Sequence, residues 1–198
     1  MTLELLSALV AFAFVSVITP GPNNLMLMAS GTNFGFARTI PHMLGVGLGF
    51  PAMLVCVGFG VMQLFDLWPP AYLVLKLLSV GYLLWLAWKI ANAAPPEDAK
   101  TEGRPLTFVQ ATAFQWVNPK AWSMALSAVT LYAAGRDLGA VLVVAGIYVA
   151  CGIISTTTWT MLGQQIRGVL RSPARLRLFN RVMAALLLAT LVPVLWPV

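Results

Sequence analysis

Long apolar runs constrain this chain more than any motif does. LLSALVAFAFVSVI (residues 5–18) is followed, after six residues, by LMLMAS, and comparable runs recur to the carboxyl end. A helix needs about 20 apolar residues to cross the hydrocarbon core of a membrane. Of the 198 residues, 60% are hydrophobic and only 9% charged, against roughly 25% charged in a soluble domain. Mean hydropathy is +0.86. The alternation expected of an outer-membrane barrel is not visible. These observations predict an all-α polytopic membrane protein with one membrane domain over 1–198. Its six spans fall at 3–30, 38–62, 70–90, 107–132, 139–162 and 180–197. The last is short and carries Pro193 and Pro197.

Two polar stretches divide the chain. ANAAPPEDAKTEGRP reads as an exposed loop joining halves 1–92 and 105–198 through 93–104. RGVLRSPARLRLFNR, with five arginines in fifteen residues, reads as a second loop. The net charge of +6 would suggest nucleic acid in a soluble protein, but in a membrane protein position decides. Arg38, Lys89, Lys100, Arg104, Arg167, Arg171, Arg175, Arg177 and Arg181 share one face under a six-span topology. That is nine of the twelve basic residues; Arg136 alone lies on the other face, and Lys76 and Lys120 lie within spans. The excess marks the cytoplasmic side, puts both termini outside, and offers anionic lipid heads a contact. The amino terminus has no basic leader and carries only Glu4 early, so the first run is expected to be retained.

The six residues between the first two runs, TPGPNN, place Thr19, Pro20, Gly21, Pro22, Asn23 and Asn24 inside the first span. An unpaired backbone group at that depth costs several kcal/mol. Each proline removes a donor and frees a carbonyl. Thr19 is expected to cap a new helix, with Pro20 at its first position. The fourth span has a matching break in QWVNPKAW, with Asn118 as cap and Pro119 as first residue. Broken helices in corresponding positions of two inverted three-span halves point to a transporter's substrate site. The expected site is therefore Thr19, Pro20, Gly21, Pro22, Asn23, Asn24, Gln115, Asn118, Pro119 and Lys120.

Lys120 is the charge at that site. A lysine at mid-membrane costs about 2.5–3.5 kcal/mol and usually faces an interior cavity. At the start of a half-helix, beside a positive dipole end, it is expected to meet a carboxylate. Every Asp and Glu is in a loop or, like Glu4, at the terminal edge of a span, which leaves Lys120 and the single histidine, His42, as candidates for a proton or gating role. His42 has an equal reading as a helix-end packing residue. Gly45 and Gly49, one turn apart, suit close helix packing, first against the broken span and second in a homodimer. Cys56 and Cys151 lie in separate runs and read as small core residues. Trp116, Trp122 and Trp159 read as interfacial anchors or cavity lining. One histidine and two separated cysteines supply neither a metal set nor a nucleophile–base pair, and no cofactor is implied.

TPGPNNLML, the following NFGF…PH…GVGLGF, and NPKAW together resemble the lysine exporter/RhtB family of bacterial amino-acid efflux translocators. The likeness covers nearly the whole chain, and MASG…FGF with FQWVNPKAW is most similar to the cysteine/O-acetylserine exporter branch. After NPK the chain departs from many relatives, with SMALSAVTLY in place of a Phe-rich stretch. The resemblance implies a multi-pass inner-membrane exporter of amino acids or their derivatives, driven by the proton gradient. Two other classes stay open at this point: a membrane assembly subunit, and a redox carrier of the inverted three-plus-three design, whose paired cysteines this chain lacks.

Overall fold

A computed structural model of the protein describes residues 2–61, 67–68, 70–93, 103–133, 137–170 and 172–195. Every element among them is a helix. In chain order these are α1 (Leu3–Ile18), α2 (Pro22–Phe34), α3 (Phe36–Gly58), α4 (Pro70–Ala91), α5 (Phe108–Gln115), α6 (Pro119–Tyr132), α7 (Leu138–Val169), α8 (Pro173–Ala189) and the short α9 (Val192–Leu195). Among the described residues, α3, α4 and α7 are long and apolar enough to cross a membrane singly; α1 and α2, bent by 55° at their break, make a fourth span together. The protein is an all-α polytopic membrane protein.

Local chemistry explains where the helices begin and end. Thr107 and Gln110 close a capping box at the start of α5, satisfying two otherwise orphaned N–H groups. Asp137 caps α7 through the N–H groups of Gly139 and Ala140. Gly35, at φ 80°, turns the chain between α2 and α3 in a conformation that disfavours a side chain. The Gln164 side chain then accepts a hydrogen bond from the Phe36 N–H at 2.6 Å.

Two expected boundaries are corrected. α7 continues through GQQIR to Val169, because no proline interrupts it before Pro173 and Arg167 suits its negative carboxyl end. α8 begins at Pro173, a residue favoured in the first helical position. The arginine-rich stretch is therefore mostly helix: Arg175, Arg177 and Arg181 ride on α8, and only Leu170–Ser172 separates it from α7. Arg171, Arg136, Asp66 and the loop charges Glu97, Asp98, Lys100 and Glu102 lie outside the described residues.

Packing divides at the level of the breaks. α1, α6, the latter part of α3 and the first part of α7 form one core around Leu9, Met53, Ala125, Val144 and Tyr148. α2, α4, α5, α8 and the first part of α3 form the other, around Leu27, Met43, Leu83, Phe114 and Leu187. Leu73, Leu77, Leu78, Leu84, Trp85 and Trp88 leave much of α4 apolar and outward-facing, a surface suited to hydrocarbon.

Gly45 and Gly49 do allow close approach, but not to the broken first span. A Cβ at Gly45 would lie 2.5 Å from the Phe108 carbonyl oxygen, and one at Gly49 2.8 Å from Thr112 Cα. The Thr112 hydroxyl donates to the Gly45 carbonyl at 3.2 Å. The glycine face is thus filled by α5, which also removes it as a free dimer surface. α2 approaches α7 through a different pair: a Cβ on Gly31 would collide with the Thr160 carbonyl, and one on Gly163 with the Met28 carbonyl.

Candidate functional site

The first break frees the last carbonyls of α1, and side chains from three helices take them up. The Asn24 amide donates to Val17 O at 2.7 Å and Thr19 O at 2.8 Å. Ser155 on α7 donates to Val17 O at 2.7 Å, and the Trp159 indole to Ile18 O at 3.0 Å. Lys120, at the start of α6, donates to Thr19 O at 2.8 Å and Thr19 Oγ1 at 2.9 Å. With the Thr19 hydroxyl donating to Ser16 O at 3.0 Å, the carbonyls from Ser16 to Thr19 are each satisfied, as backbone at this depth requires.

The order of caps differs from the sequence expectation. Thr19 is not the start of a new helix; it is the C-cap of α1, its N–H still bonded to Val15 O. A residue before proline is pushed out of the α region, and Thr19 is extended at φ −62°, ψ 143°. Gly21 takes the N-cap of α2 and Pro22 the first helical position, with no side-chain cap. The second break follows its expectation: Asn118 caps α6 by accepting from the Lys120 N–H at 3.1 Å, and Pro119 comes first.

The two breaks meet. Asn23 and Gln115 exchange paired amide hydrogen bonds at 2.9 and 3.2 Å. Gln115 is fully buried and also donates to Ala111 O at 2.8 Å. Gly21 lies against the Lys120 side chain; a Cβ there would stand 2.8 Å from Lys120 Cδ and 3.1 Å from Nζ. The ammonium therefore sits between the negative end of α1 and the uncapped, positive start of α2. A cation at a helix carboxyl end gains about 0.3–1 kcal/mol, more when partly buried. That gain gives Lys120 a resting partner that the sequence did not reveal.

Lys120 lines two cavities. One of about 40 Å³, lined by Ser16, Asn23, Asn24, Asn118, Tyr148 and Ser155 among others, has room for only a few water molecules. The other, of about 950 Å³, opens between α2, α4, α6 and α8 past Pro20, Pro119, Trp159 and Thr190. No Asp or Glu is among the described residues lining either. Trp159 is thus a cavity residue, whereas Trp116 and Trp122 pack edge to face at 6.0 Å and line neither.

His42 stands apart from the breaks. It is buried, and neither ring nitrogen has a hydrogen-bond partner. It borders a third cavity, of about 560 Å³, with Ser30, Asn33, Arg38, Lys89 and Arg104. Ser155 and Tyr148 were not singled out by the sequence. Their one signal was polarity inside a long apolar run, as in STTTW (residues 155–159). Asn180 was missed as well; it is wholly buried on α8 and exchanges amide hydrogen bonds with Asn33 at 2.9 and 3.1 Å.

A family model described as LysE type translocator matches residues 14–193. A cysteine/O-acetylserine efflux protein of Escherichia coli O139:H28 (strain E24377A / ETEC) is 31% identical over 191 residues, 95% of this chain and 96% of that protein. The proteins of the same description from Escherichia coli (strain K12) and Shigella flexneri serotype 5b (strain 8401) are each 31% identical over 190 residues, 94% of this chain and 95% of theirs. No solved structure matches the chain. With breaks of this kind in its helices and a family match across most of its length, the chain belongs to the LysE type translocators, multi-pass proteins of the bacterial inner membrane.

Proposed function

We propose that the protein exports small zwitterionic amino acids or their derivatives from the cytoplasm, with the proton gradient as driving force. The observation that carries this reading is the position of the Lys120 ammonium, 2.8 Å from the Thr19 carbonyl at the meeting of the two breaks. A substrate carboxylate competes with that carbonyl for Lys120 and finds the uncapped first turn of α2 beside it. Asn23, Asn24, Gln115 and Asn118 supply groups that both donate and accept, so they orient carboxylate and ammonium without a second buried charge. At α6 the Lys120 N–H is already taken by Asn118, so the backbone contribution comes from α2 alone.

The exchange gives the site a mechanical consequence. While Lys120 holds Thr19, α1 is tied to α6; when a carboxylate draws it away, that tie is released. In the described conformation the inner cavity, at about 40 Å³, is too small for an amino acid, which corresponds to a closed state on that side. Six spans in two inverted halves accommodate this motion, with α1–α2 corresponding to α5–α6, α3 to α7 and α4 to α8. Packing of α3 on α7 and of α4 on α8 supports the scheme, because a two-fold axis would bring these pairs onto themselves. Lys120 and His42 are the ionisable groups within the helices best placed to carry the coupled proton.

Among described residues no carboxylate lines the two cavities at the break, so a second cation on the substrate would stand beside Lys120 unpaired. Cargo is therefore neutral overall, in keeping with relatives described as cysteine/O-acetylserine efflux proteins. The test is efflux from preloaded vesicles with labelled cysteine, O-acetylserine, serine, lysine and arginine. Export of the first group and retention of the dibasic pair is expected; efficient arginine export would overturn the cargo assignment.

A further inference from the structure

The third cavity lies away from the breaks, and of its wall only His42 has been given a part above, as a candidate proton carrier. Asn33, on its wall, is ten residues beyond Asn23 along α2, about 15 Å at 1.5 Å per residue. Three cations from three elements border it: Arg38 on α3, Lys89 on α4 and Arg104 ahead of α5. The first two are held in place. Arg38 donates to the Gly103 carbonyl at 3.3 Å and stacks over Phe34, and Lys89 lies over the Trp85 ring at 5.3 Å. No Asp or Glu is among the described residues lining the space.

Like charges gathered around a half-enclosed volume repel one another, and an anion between them reverses the sign of that interaction. Arginine matches a carboxylate in two-pronged geometry, and lysine adds a point charge. His42 forms part of the cavity wall with both ring nitrogens unpartnered. We propose that this cavity is a second carboxylate site, a vestibule on the basic face of the protein. In it Arg38, Lys89 and Arg104 hold the substrate's carboxylate beside the wall that His42 forms. The substrate identity rests on the exporter reading above; the carboxylate chemistry does not.

His42 is the single histidine of the chain, so its imidazole is a private reporter. The full chain, with nitrogen-15 histidine, is placed in phosphatidylcholine nanodiscs and titrated with acetate. The His42 resonance should shift saturably in the unmutated protein and equally in Lys120→Met, whose break site is disabled. The shift should disappear in Arg38→Gln/Lys89→Met and persist in the charge-preserving Arg38→Lys/Lys89→Arg. In efflux assays, Arg38→Gln/Lys89→Met should raise the KM for O-acetylserine about tenfold, with the loss falling mainly on KM. Lys76→Met, which removes a charge elsewhere on α4, should leave KM unchanged. Absence of an acetate shift, or its survival in Arg38→Gln/Lys89→Met, would overturn the vestibule. So would a shift produced by phosphatidylglycerol in place of acetate, which would assign the cations to a lipid headgroup. An acetate shift without amino-acid export by the unmutated protein would leave the vestibule standing and sink the exporter reading alone.

Discussion

Lys120 Nζ lies 2.8 Å from the carbonyl oxygen of Thr19, a residue 101 positions earlier in the chain. This contact ties the break between α1 and α2 to the break between α5 and α6. It also resolves a cost that the sequence left open. A lysine at the positive start of α6 is unfavourable alone, but its side chain reaches the negative end of α1 instead.

The second tie between the breaks is the Asn23–Gln115 amide pair, and it should be measurable as a coupling energy. Asn23→Leu leaves the buried Gln115 with Ala111 O as its remaining partner and should cost about 1–3 kcal/mol. Gln115→Leu should cost a similar amount, and the double variant less than the sum by about 1 kcal/mol. Thermal unfolding of the purified variants reads this cycle. Additive losses would show that the pair contributes no coupling.

Close helix approach at Gly31 and Gly163 is the next expectation. Alanine at either drives a Cβ into a backbone carbonyl of the facing helix, which should destabilise by about 1–3 kcal/mol. Gly81, with nothing near its missing Cβ, is the control: Gly81→Ala should be neutral or stabilise by about 0.5–1 kcal/mol. Comparable melting temperatures for all three variants would contradict the packing described.

Much of this was legible from residue order. TPGPNN and NPK marked the breaks because proline chemistry is local, and Asn118 and Pro119 took their caps as expected. The Thr19 assignment failed because two prolines in alternate positions offer two registers, and only the tertiary partners of α1's carbonyls choose between them. The glycine partners failed for a related reason. Small-residue spacing shows that a helix will be approached closely, without saying by which neighbour. The start of α8 was misplaced because arginines dominated the reading, although Ser172–Pro173 carried an N-terminal signal.

Orientation is a separate claim, drawn from the nine basic residues on one face against one. Reporter fusions after residue 100 and after residue 172 should both read cytoplasmic. The second is the stricter test, since only Leu170–Ser172 separates α7 from α8. A periplasmic signal at either position would reverse or break the six-span arrangement.

The central claim is that Lys120 exchanges the Thr19 carbonyl for a substrate carboxylate. Lys120→Met removes a membrane-embedded charge that costs about 2.5–3.5 kcal/mol and gives up hydrogen bonds worth a comparable amount, so the variant should remain folded in the membrane. The decisive measurement is O-acetylserine efflux from proteoliposomes holding equal amounts of folded Lys120→Met and unmutated protein. Efflux at the level of protein-free vesicles is the predicted result. Export by Lys120→Met at the unmutated rate would contradict the account.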